Sequence, residues 1–491
     1  MMQLKDILNG VAVVRIEGDE ATAVRAIQQD SRKVIEGDCF VAVKGTTTDG
    51  HQYIQQVIDK GATVVVCEVL PLALDEKATY IVVKDASIAL GEMAANYFGN
   101  PADKVKLVGV TGTNGKTSVA TLLYRLFSKL GHKVGLLSTV ENKIGGETIP
   151  STHTTPDAIS LNQLLRRMVD EGCTYVFMEV SSHAVDQHRI AGLTFDGALF
   201  TNITHDHLDY HKTFENYIKA KKGFFDALNK DAFALVNADD RNGMVMLQNT
   251  AAKRYTYSLK SASDFKCKII ENSVYGLQLD IDGTDFHSLL IGEFNAYNLT
   301  LVYGAAILLG VEKLECLTVL SELMPPEGRF QQVISPKNKI VAIVDYAHTP
   351  DALKNVLHTI RAIKTDNQKL ITVVGCGGDR DKAKRPVMAQ VAAKFSDKCV
   401  LTSDNPRSEE PQQIIDDMLE VFKVEAVEDK RKVLCILDRK EAIRSAVLFA
   451  NPSDILLIAG KGHEKYQEIK GVKYDFDDRK VVEEIFKETE N

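Results

Sequence analysis

Seven residues, Thr111-Gly112-Thr113-Asn114-Gly115-Lys116-Thr117, constrain this chain more than any other stretch. They follow an apolar run (Val105, Leu107, Val108, Val110) that predicts a buried strand. They precede a helix whose inward stripe is Leu122, Leu123, Leu126, Phe127 and Leu130, closed by Gly131. Strand, glycine-rich turn, Gly-Lys-Thr and helix together make an anion cradle, because glycines let backbone N–H groups approach a phosphate at the positive end of a helix. In such a loop Lys116 neutralises the outer phosphates and the Thr117 hydroxyl ligates magnesium. The usual G-x-x-x-x-G-K-[ST] pattern needs a glycine where this chain has Val110; Gly109 and Gly112 are the nearest, so the loop is a variant. A chance Gly-Lys-Thr in a surface loop is the competing reading, and the flanking strand and helix weigh against it.

A chain of 491 residues exceeds one ordinary core, so about two to four domains are expected. Its 45% hydrophobic and 26% charged residues are those of a globular protein in water, and a net charge of -8 gives no basic face for nucleic acid. No apolar run reaches the roughly 18–20 residues that span a bilayer, and residues 1–10 lack a signal-peptide core. The eight cysteines are scattered without a C-x-x-C, as expected of free thiols in a reducing compartment. They suggest neither a disulfide framework nor a zinc site. The expectation is a cytoplasmic α/β enzyme or nucleotide-binding protein with no membrane insertion.

Residues 1–102 read as a small α/β domain, with strands at 40–43 and 63–67 around a helix at 52–60. Its Asp30-Ser31-Arg32 and Lys44-Gly45…Asp49-Gly50-His51 stretches suit either ordinary turns or a polar ligand. Residues 103–330 read as a doubly wound sheet, its strands ending in polar residues along one ligand-binding edge. Tyr175-Val176-Phe177-Met178 ends in Glu179, placed as a magnesium ligand beside a phosphate loop unless it is a surface acid. Five of the twelve histidines lie between 183 and 211. A zinc site of His205, His207 and His211 is disfavoured, because phosphate chemistry calls for hard oxygen ligands and magnesium. Lys219, Lys221 and Lys222 on the following helix read as a solvated face. Residues 262–292 suggest a small antiparallel appendage, and Phe294 to Asn298 precede an apolar helix from Leu299 to Leu309.

A hinge at Pro325 to Phe330 leads into residues 331–491, a Rossmann-like domain. Four apolar strands there end in Asp345-Tyr346-Ala347-His348, Gly375-Cys376-Gly377-Gly378-Asp379-Arg380, Ser403-Asp404-Asn405-Pro406-Arg407 and Gly460-Lys461-Gly462-His463-Glu464. The Gly375 turn hints at a dinucleotide site but has Arg380 where G-x-G-x-x-G needs its last glycine.

Taken together these residues resemble the Mur ligases, ATP-dependent amide-bond formers that build the peptide of the bacterial cell wall. The likeness runs from Asp30-Ser31-Arg32 to Glu464 and rests on the phosphate loop, Glu179-Val180-Ser181-Ser182-His183, His205-Asp206-His207-Leu208-Asp209 and Asp345-Tyr346-Ala347-His348. A loop without the earlier glycine is itself the family's form. The resemblance is strongest to the member that adds the third residue to UDP-N-acetylmuramoyl-L-alanyl-D-glutamate. It implies a three-domain α/β monomer: a UDP-binding domain at 1–102, an ATP-binding domain at 103–330 and an amino-acid-binding domain at 331–491.

The resemblance also implies roles. ATP would be bound by Gly112, Thr113, Asn114, Gly115, Lys116, Thr117 and Ser118, with Asn298, Arg329, Asp345 and His348. Magnesium would be held by Thr117, Glu179, His207 and Lys221, the last as a carbamate, which would overturn the solvated-face reading; Lys222 is its rival. Ser31, His153, Thr154, Thr155, Ser181, Gln187 and Arg189 would contact the UDP-muramoyl-dipeptide. Arg380, Asp404, Asn405, Pro406, Arg407, Gly460 and Glu464 would bind the incoming amino acid. Arg407 marks that acceptor as meso-diaminopimelate, since a guanidinium grips its distal carboxylate with two hydrogen bonds. The alternatives are a lysine-adding or folylpolyglutamate synthase-like ligase, a P-loop NTPase switch or binding module, and a metal-dependent hydrolase built on the histidines.

Overall fold

The computed structural model describes residues 1–490 apart from 46–47, 152, 205–207 and 425–430, together with the side chains of all of these but 208, 209 and 424. The chain divides into two compact units, 1–267 with 297–319 and 268–296 with 320–491.

The first unit carries a short two-stranded sheet, Met2–Gln3 with Ala23–Val24, and two larger ones. In the N-terminal one, Thr79–Val83, Val64–Cys67, Cys39–Val41 and Ile27–Gln28 run parallel, and Val13–Glu17 adds an antiparallel edge. Val64, Val66, Ile81 and Val83 face Leu4, Ile7, Leu90 and Met93, whereas Val65, Cys67 and Tyr80 face Ile54, Val57 and Ile58. Burial on both faces explains the unbroken apolar run at 64–67, since alternate side chains enter opposite cores.

The larger sheet has seven parallel strands in the order Val134–Leu137, Tyr175–Glu179, Lys106–Thr111, Gly197–Phe200, Phe233–Asn237, Lys253–Ser258 and Phe265–Ser273. The antiparallel pair Glu141–Ile144 and Glu147–Pro150 extends one side. The phosphate-loop strand Lys106–Thr111 is central, and the chain places its earlier neighbours on one side and its later ones on the other. Ligands of open α/β sheets gather at the carboxyl ends of strands at such a reversal. The helix Lys116–Lys129 packs back on the sheet through Val119, Leu122, Leu123, Leu126 and Phe127. The apolar helix begins earlier than its apolar run: it spans Glu293–Leu308, so Asn298 lies inside it. Asn295 and Asn298 are both buried. Their tertiary setting overrides the modest helix propensity that made the first turn look like a loop.

The second unit is built on a six-stranded sheet in the order Gln331–Ile334, Val341–Asp345, Ile455–Ala459, Leu370–Cys376, Lys398–Ser403 and Val433–Cys435, all parallel but the first. Val341, Ile343, Leu401 and Leu457 face one core, and Ala342, Val344, Val400 and Leu456 the other. The expected antiparallel appendage is the hairpin Gly276–Ile281 with Thr284–Ser288. A second hairpin, Tyr466–Ile469 with Val472–Asp475, was not expected. The eight cysteines form no disulfide; six are buried, Cys376 is half-buried and Cys435 exposed. Among the described residues no helix is long and apolar enough to cross a membrane.

Candidate active site

The phosphate loop is shaped at Gly112 and Gly115. Gly112 has φ 145°, and a Cβ there would lie 1.9 Å from Thr201 Oγ1; Gly115 has φ 89°, and its Cβ would lie 2.7 Å from Asn298 Oδ1. Neither position admits a side chain. Val110, where the usual pattern has glycine, is buried within the strand, so the variant loses nothing there. The loop is tied to the neighbouring strand end: Thr113 N–H donates to Asn202 O (2.8 Å), Asn114 N–H to Asn202 Oδ1 (3.1 Å) and Thr201 Oγ1 to Asn114 O (2.6 Å). Lys116 Nζ lies over the loop, donating to Gly112 O (2.9 Å) and Thr113 O (3.0 Å). Thr117 and Ser118 occupy the first turn of the helix, both buried.

Glu179 pairs in register with Val110, which sets its carboxylate beside the start of the loop. It is 1% exposed, and it accepts from Thr139 N–H (2.7 Å) and Thr139 Oγ1 (3.2 Å); that hydroxyl is also 3.1 Å from Thr154 Oγ1. The solvated-face reading of the lysines fails at one position. Lys219 is exposed and Lys222 pairs with Asp226 at 2.6 Å, but Lys221 is 1% exposed and donates to Gly112 O at 2.9 Å. The signal was in the spacing: Tyr217, Lys221, Phe224 and Phe225 are the buried residues of the helix Phe214–Asp226 and share one face. Glu179 and Thr117 supply hard oxygen donors, which fit magnesium. His207 lies outside the described residues, as does His205 of the zinc alternative. His211 is buried with Nε2 2.9 Å from Ser182 Oγ. Among the described residues no group of three or more His, Cys, Asp or Glu could hold a metal.

Four of the residues assigned to the muramoyl-dipeptide form one hydrogen-bonded cluster. Thr155 Oγ1 donates to Glu179 O (2.8 Å) and accepts from Ser181 N–H (3.1 Å). Arg189 donates through Nη1 to Thr155 O (2.8 Å) and through Nε to Gln187 Oε1 (3.0 Å). Burial lowers the pKa of Arg189. Sequence reasoning missed Tyr210, whose hydroxyl donates to Asp186 (2.7 Å) and accepts from Gln187 Nε2 (3.1 Å), holding this cluster from the far side. His153 is exposed on the loop before Thr154. Ser31 is not in the cluster: it lies in the turn after the strand Ile27–Gln28, where its carbonyl accepts from Lys60 Nζ (2.8 Å). Beside it Arg32 holds the Asp30 carboxyl down at about 2.

In the second unit the strand ends meet. Asp345 accepts from Phe330 N–H (2.7 Å) and Ala347 N–H (2.8 Å), and desolvation raises its pKa against the opposing pull of Arg329. Arg329 stacks 4.9 Å over the Tyr346 ring, and His348 Nδ1 is 2.9 Å from Tyr346 O. Gly460 N–H donates to Asp345 O (3.1 Å). Asn405 Nδ2 donates to Glu464 Oε2 (2.6 Å), and Glu464 is pushed up by burial and then by Asp404. Arg407 adopts the left-handed φ of 51° and is clamped by the unexpected hairpin: its N–H donates to Glu468 O (2.9 Å) and its carbonyl accepts from Lys470 N–H (2.6 Å). Its Nη1 donates to Gly378 O (2.7 Å), aligning the guanidinium across the turn that Pro406 precedes. Arg380 is exposed two residues after Gly378. Beneath it, Arg385 is 1% exposed and grips Glu409 through both terminal nitrogens (2.7 and 2.9 Å) and Asp417 (2.7 Å). Long-range polar networks of this kind leave no periodic trace in a sequence.

Residues 23–98 match the Mur ligase family catalytic domain, 110–306 the Mur ligase middle domain and 328–462 the Mur ligase glutamate ligase domain. A UDP-N-acetylmuramoyl-L-alanyl-D-glutamate–2,6-diaminopimelate ligase of Cytophaga hutchinsonii is 59% identical over 485 residues, 99% of each chain. One of the same name from Phocaeicola vulgatus is 58% identical over the same length and share of each. A solved structure of a ligase so named superposes with TM-score 0.74 at 32% identity, covering 100% of this chain and 99% of the other. A folylpolyglutamate synthase of Thermotoga maritima shares the fold alone, with TM-score 0.59 at 16% identity over 76% of this chain and 90% of its own. A central phosphate loop, an acid-terminated neighbouring strand and full-length identity of this order have one explanation: the chain belongs to the Mur ligase family.

Proposed function

We propose that this chain is the ATP-dependent ligase that joins an amine of meso-2,6-diaminopimelate to the γ-carboxylate of D-glutamate in UDP-N-acetylmuramoyl-L-alanyl-D-glutamate. The observation that carries this reading is identity of 54–59% over 99% of the chain to relatives bearing that activity in their names. Arg407, held on a turn by Gly378 and the hairpin backbone, supports it as a fixed guanidinium suited to a distal carboxylate. We assign domain limits of 1–102 for the UDP portion, 103–330 for ATP and 331–491 for the amino acid.

The reaction is written in two steps. A γ-carboxylate oxygen attacks the γ-phosphorus of ATP and ADP leaves, giving an acyl phosphate. The amine then attacks the acyl carbon, a proton is lost from nitrogen, and phosphate leaves. Lys116 and the loop N–H groups offset the charge that gathers on the transferring phosphoryl group. Thr117, Glu179, His207 and Lys221, the last as a carbamate, would hold magnesium, which supplies charge neutralisation at the phosphates. The burial of Lys221 against Gly112 O, with Lys222 paired to Asp226, supports 221 as the modified position. Asn298, Arg329, Asp345 and His348 complete the nucleotide contacts. Thr155, Ser181, Gln187 and Arg189 orient the D-glutamate carboxylate, and Glu464 receives the distal ammonium of diaminopimelate.

With the D-glutamate γ-carboxylate labelled with heavy oxygen, one labelled atom moves into the released phosphate when ATP, the UDP-dipeptide and diaminopimelate are all present. Phosphate release without any amino acid, or release without label, overturns the reading in favour of an NTPase.

A further inference from the structure

Lys461 follows the strand Ile455–Ala459 and is 0% exposed. Its ammonium donates to Asn405 Oδ1 (3.1 Å) and to Tyr466 O, and lies 3.6 Å from Glu464 Oε2 and 4.0 Å from Asp404 Oδ1. Asn405 Oδ1 also accepts from Glu468 N–H (2.9 Å), while Asn405 Nδ2 donates to Glu464 (2.6 Å). The amide is therefore fixed in one orientation, because a flip would set its NH2 group against two donors. Two carboxylates converging in a largely buried site favour uptake of a proton by one of them. An ammonium between them removes that pressure, and the pair in turn compensates a buried cation that would otherwise be costly.

We propose that Lys461 is the positioning residue of the amino-acid site: it fixes the Asn405 amide and sets its ammonium against Glu464 and Asp404, so that Glu464 meets the distal ammonium of the substrate as an anion. Lys461 does not itself reach substrate, since no part of it is exposed. The proposal rests on the ligase reading above, in which Glu464 holds that ammonium. The surrounding charges agree with it. Burial lowers the pKa of Lys461, while Asp404 and Glu464 raise it; Arg439 opposes them and Asp478 assists. Arg439 and Asp478 are closed on each other at 2.7 Å. Arg407 lowers the pKa of Glu464, and Tyr346 faces Glu464 and Asp404 from the neighbouring strand end. Lys461 thus places one ammonium within 4.0 Å of both carboxylates.

The test uses the full-length enzyme with Lys461→Met and Lys461→Gln, the second keeping a donor toward Asn405 without the charge. Michaelis constants for diaminopimelate, ATP and the UDP-dipeptide are measured from about pH 6.5 to 8.5, below the titration of the substrate's amines. Both variants should raise the constant for diaminopimelate about 30-fold or more near neutrality, the loss expected when a buried charged hydrogen-bond partner goes. The constants for ATP and the UDP-dipeptide should stay within about 3-fold. In both variants the constant for diaminopimelate should fall more steeply as pH rises than it does in the parent, because the extra proton leaves Glu464. A rise with no steeper pH dependence than the parent's, an equal rise for all three substrates, or a Gln variant matching the parent overturns the proposal. Failure of the ligase reading is distinguishable, because the parent itself would then make no diaminopimelate-dependent product. If the Met variant does not fold, the Gln variant carries the same pH test.

Discussion

Gly112→Ala tests the phosphate loop at its tightest point. The added Cβ would sit 1.9 Å from Thr201 Oγ1 and 3.0 Å from Asn202 O, at a φ of 145° that side chains rarely adopt. The backbone strain costs about 1–3 kcal/mol and the overlap a further ~1–3 kcal/mol. Thr201 cannot step aside freely, because its hydroxyl donates to Asn114 O at 2.6 Å and that bond holds the loop. Relief by loop movement would therefore misplace the N–H groups proposed to hold phosphate, and we expect the Michaelis constant for ATP to rise about 100-fold, equivalent to ~3 kcal/mol. Thr201→Ala in the same chain removes the closest atom and should return ~1–2 kcal/mol of this, a non-additivity read by a double-mutant cycle. The assay is steady-state phosphate release with the other two substrates saturating. An ATP constant within about 3-fold of the parent, or strictly additive losses, would refute the steric argument.

Three other outcomes follow from the geometry. Arg407→Ala should weaken use of diaminopimelate by about 100-fold, the loss of a bidentate charged contact, with little change for ATP; equal loss for both would mark Arg407 as a scaffold residue. Arg439→Met strands the fully buried Asp478 carboxylate, to which Arg439 donates at 2.7 and 2.8 Å. It should destabilise the second unit by about 3–5 kcal/mol in denaturant unfolding, and a loss under ~1 kcal/mol would contradict it. Glu409 is held at about 2, down from 4.5, chiefly by its hydrogen bonds from Arg385. A depressed carboxylate contributes stability that is present above its unfolded value and lost as pH falls through the folded one. Melting curves of the parent should thus fall between about pH 4.5 and 2 more steeply than those of Glu409→Gln.

Much of this could be read from residues alone, and the rest fails for identifiable reasons. Glu179 was legible because an acid ending an apolar run beside a glycine-rich loop has few places to go. Lys221 was less so, since charge pattern and burial pattern disagree on its helix and only the Tyr217, Phe224 and Phe225 face decides between them. Asn298 was placed before a helix that in fact contains it, because buried asparagines interrupt an apolar run without interrupting a helix. The Tyr466–Asp475 hairpin is too exposed to show a buried face, although Lys470 and Gly471, with φ of 49° and 79°, form the two-residue turn that joins such strands. That hairpin supports Arg407. Arg385 and Lys461 act through partners distant in sequence, and no local pattern announces them.

Amide-bond formation to diaminopimelate is tested by supplying ATP, the UDP-dipeptide and an equimolar mixture of meso-diaminopimelate and L-lysine, then weighing the product by mass spectrometry. The expected product is a UDP-tripeptide bearing diaminopimelate, with the lysine product at about 1% or less, as expected when a charged pocket is left unpaired. Comparable amounts of the two products, or ATP consumed with no tripeptide formed, would contradict it.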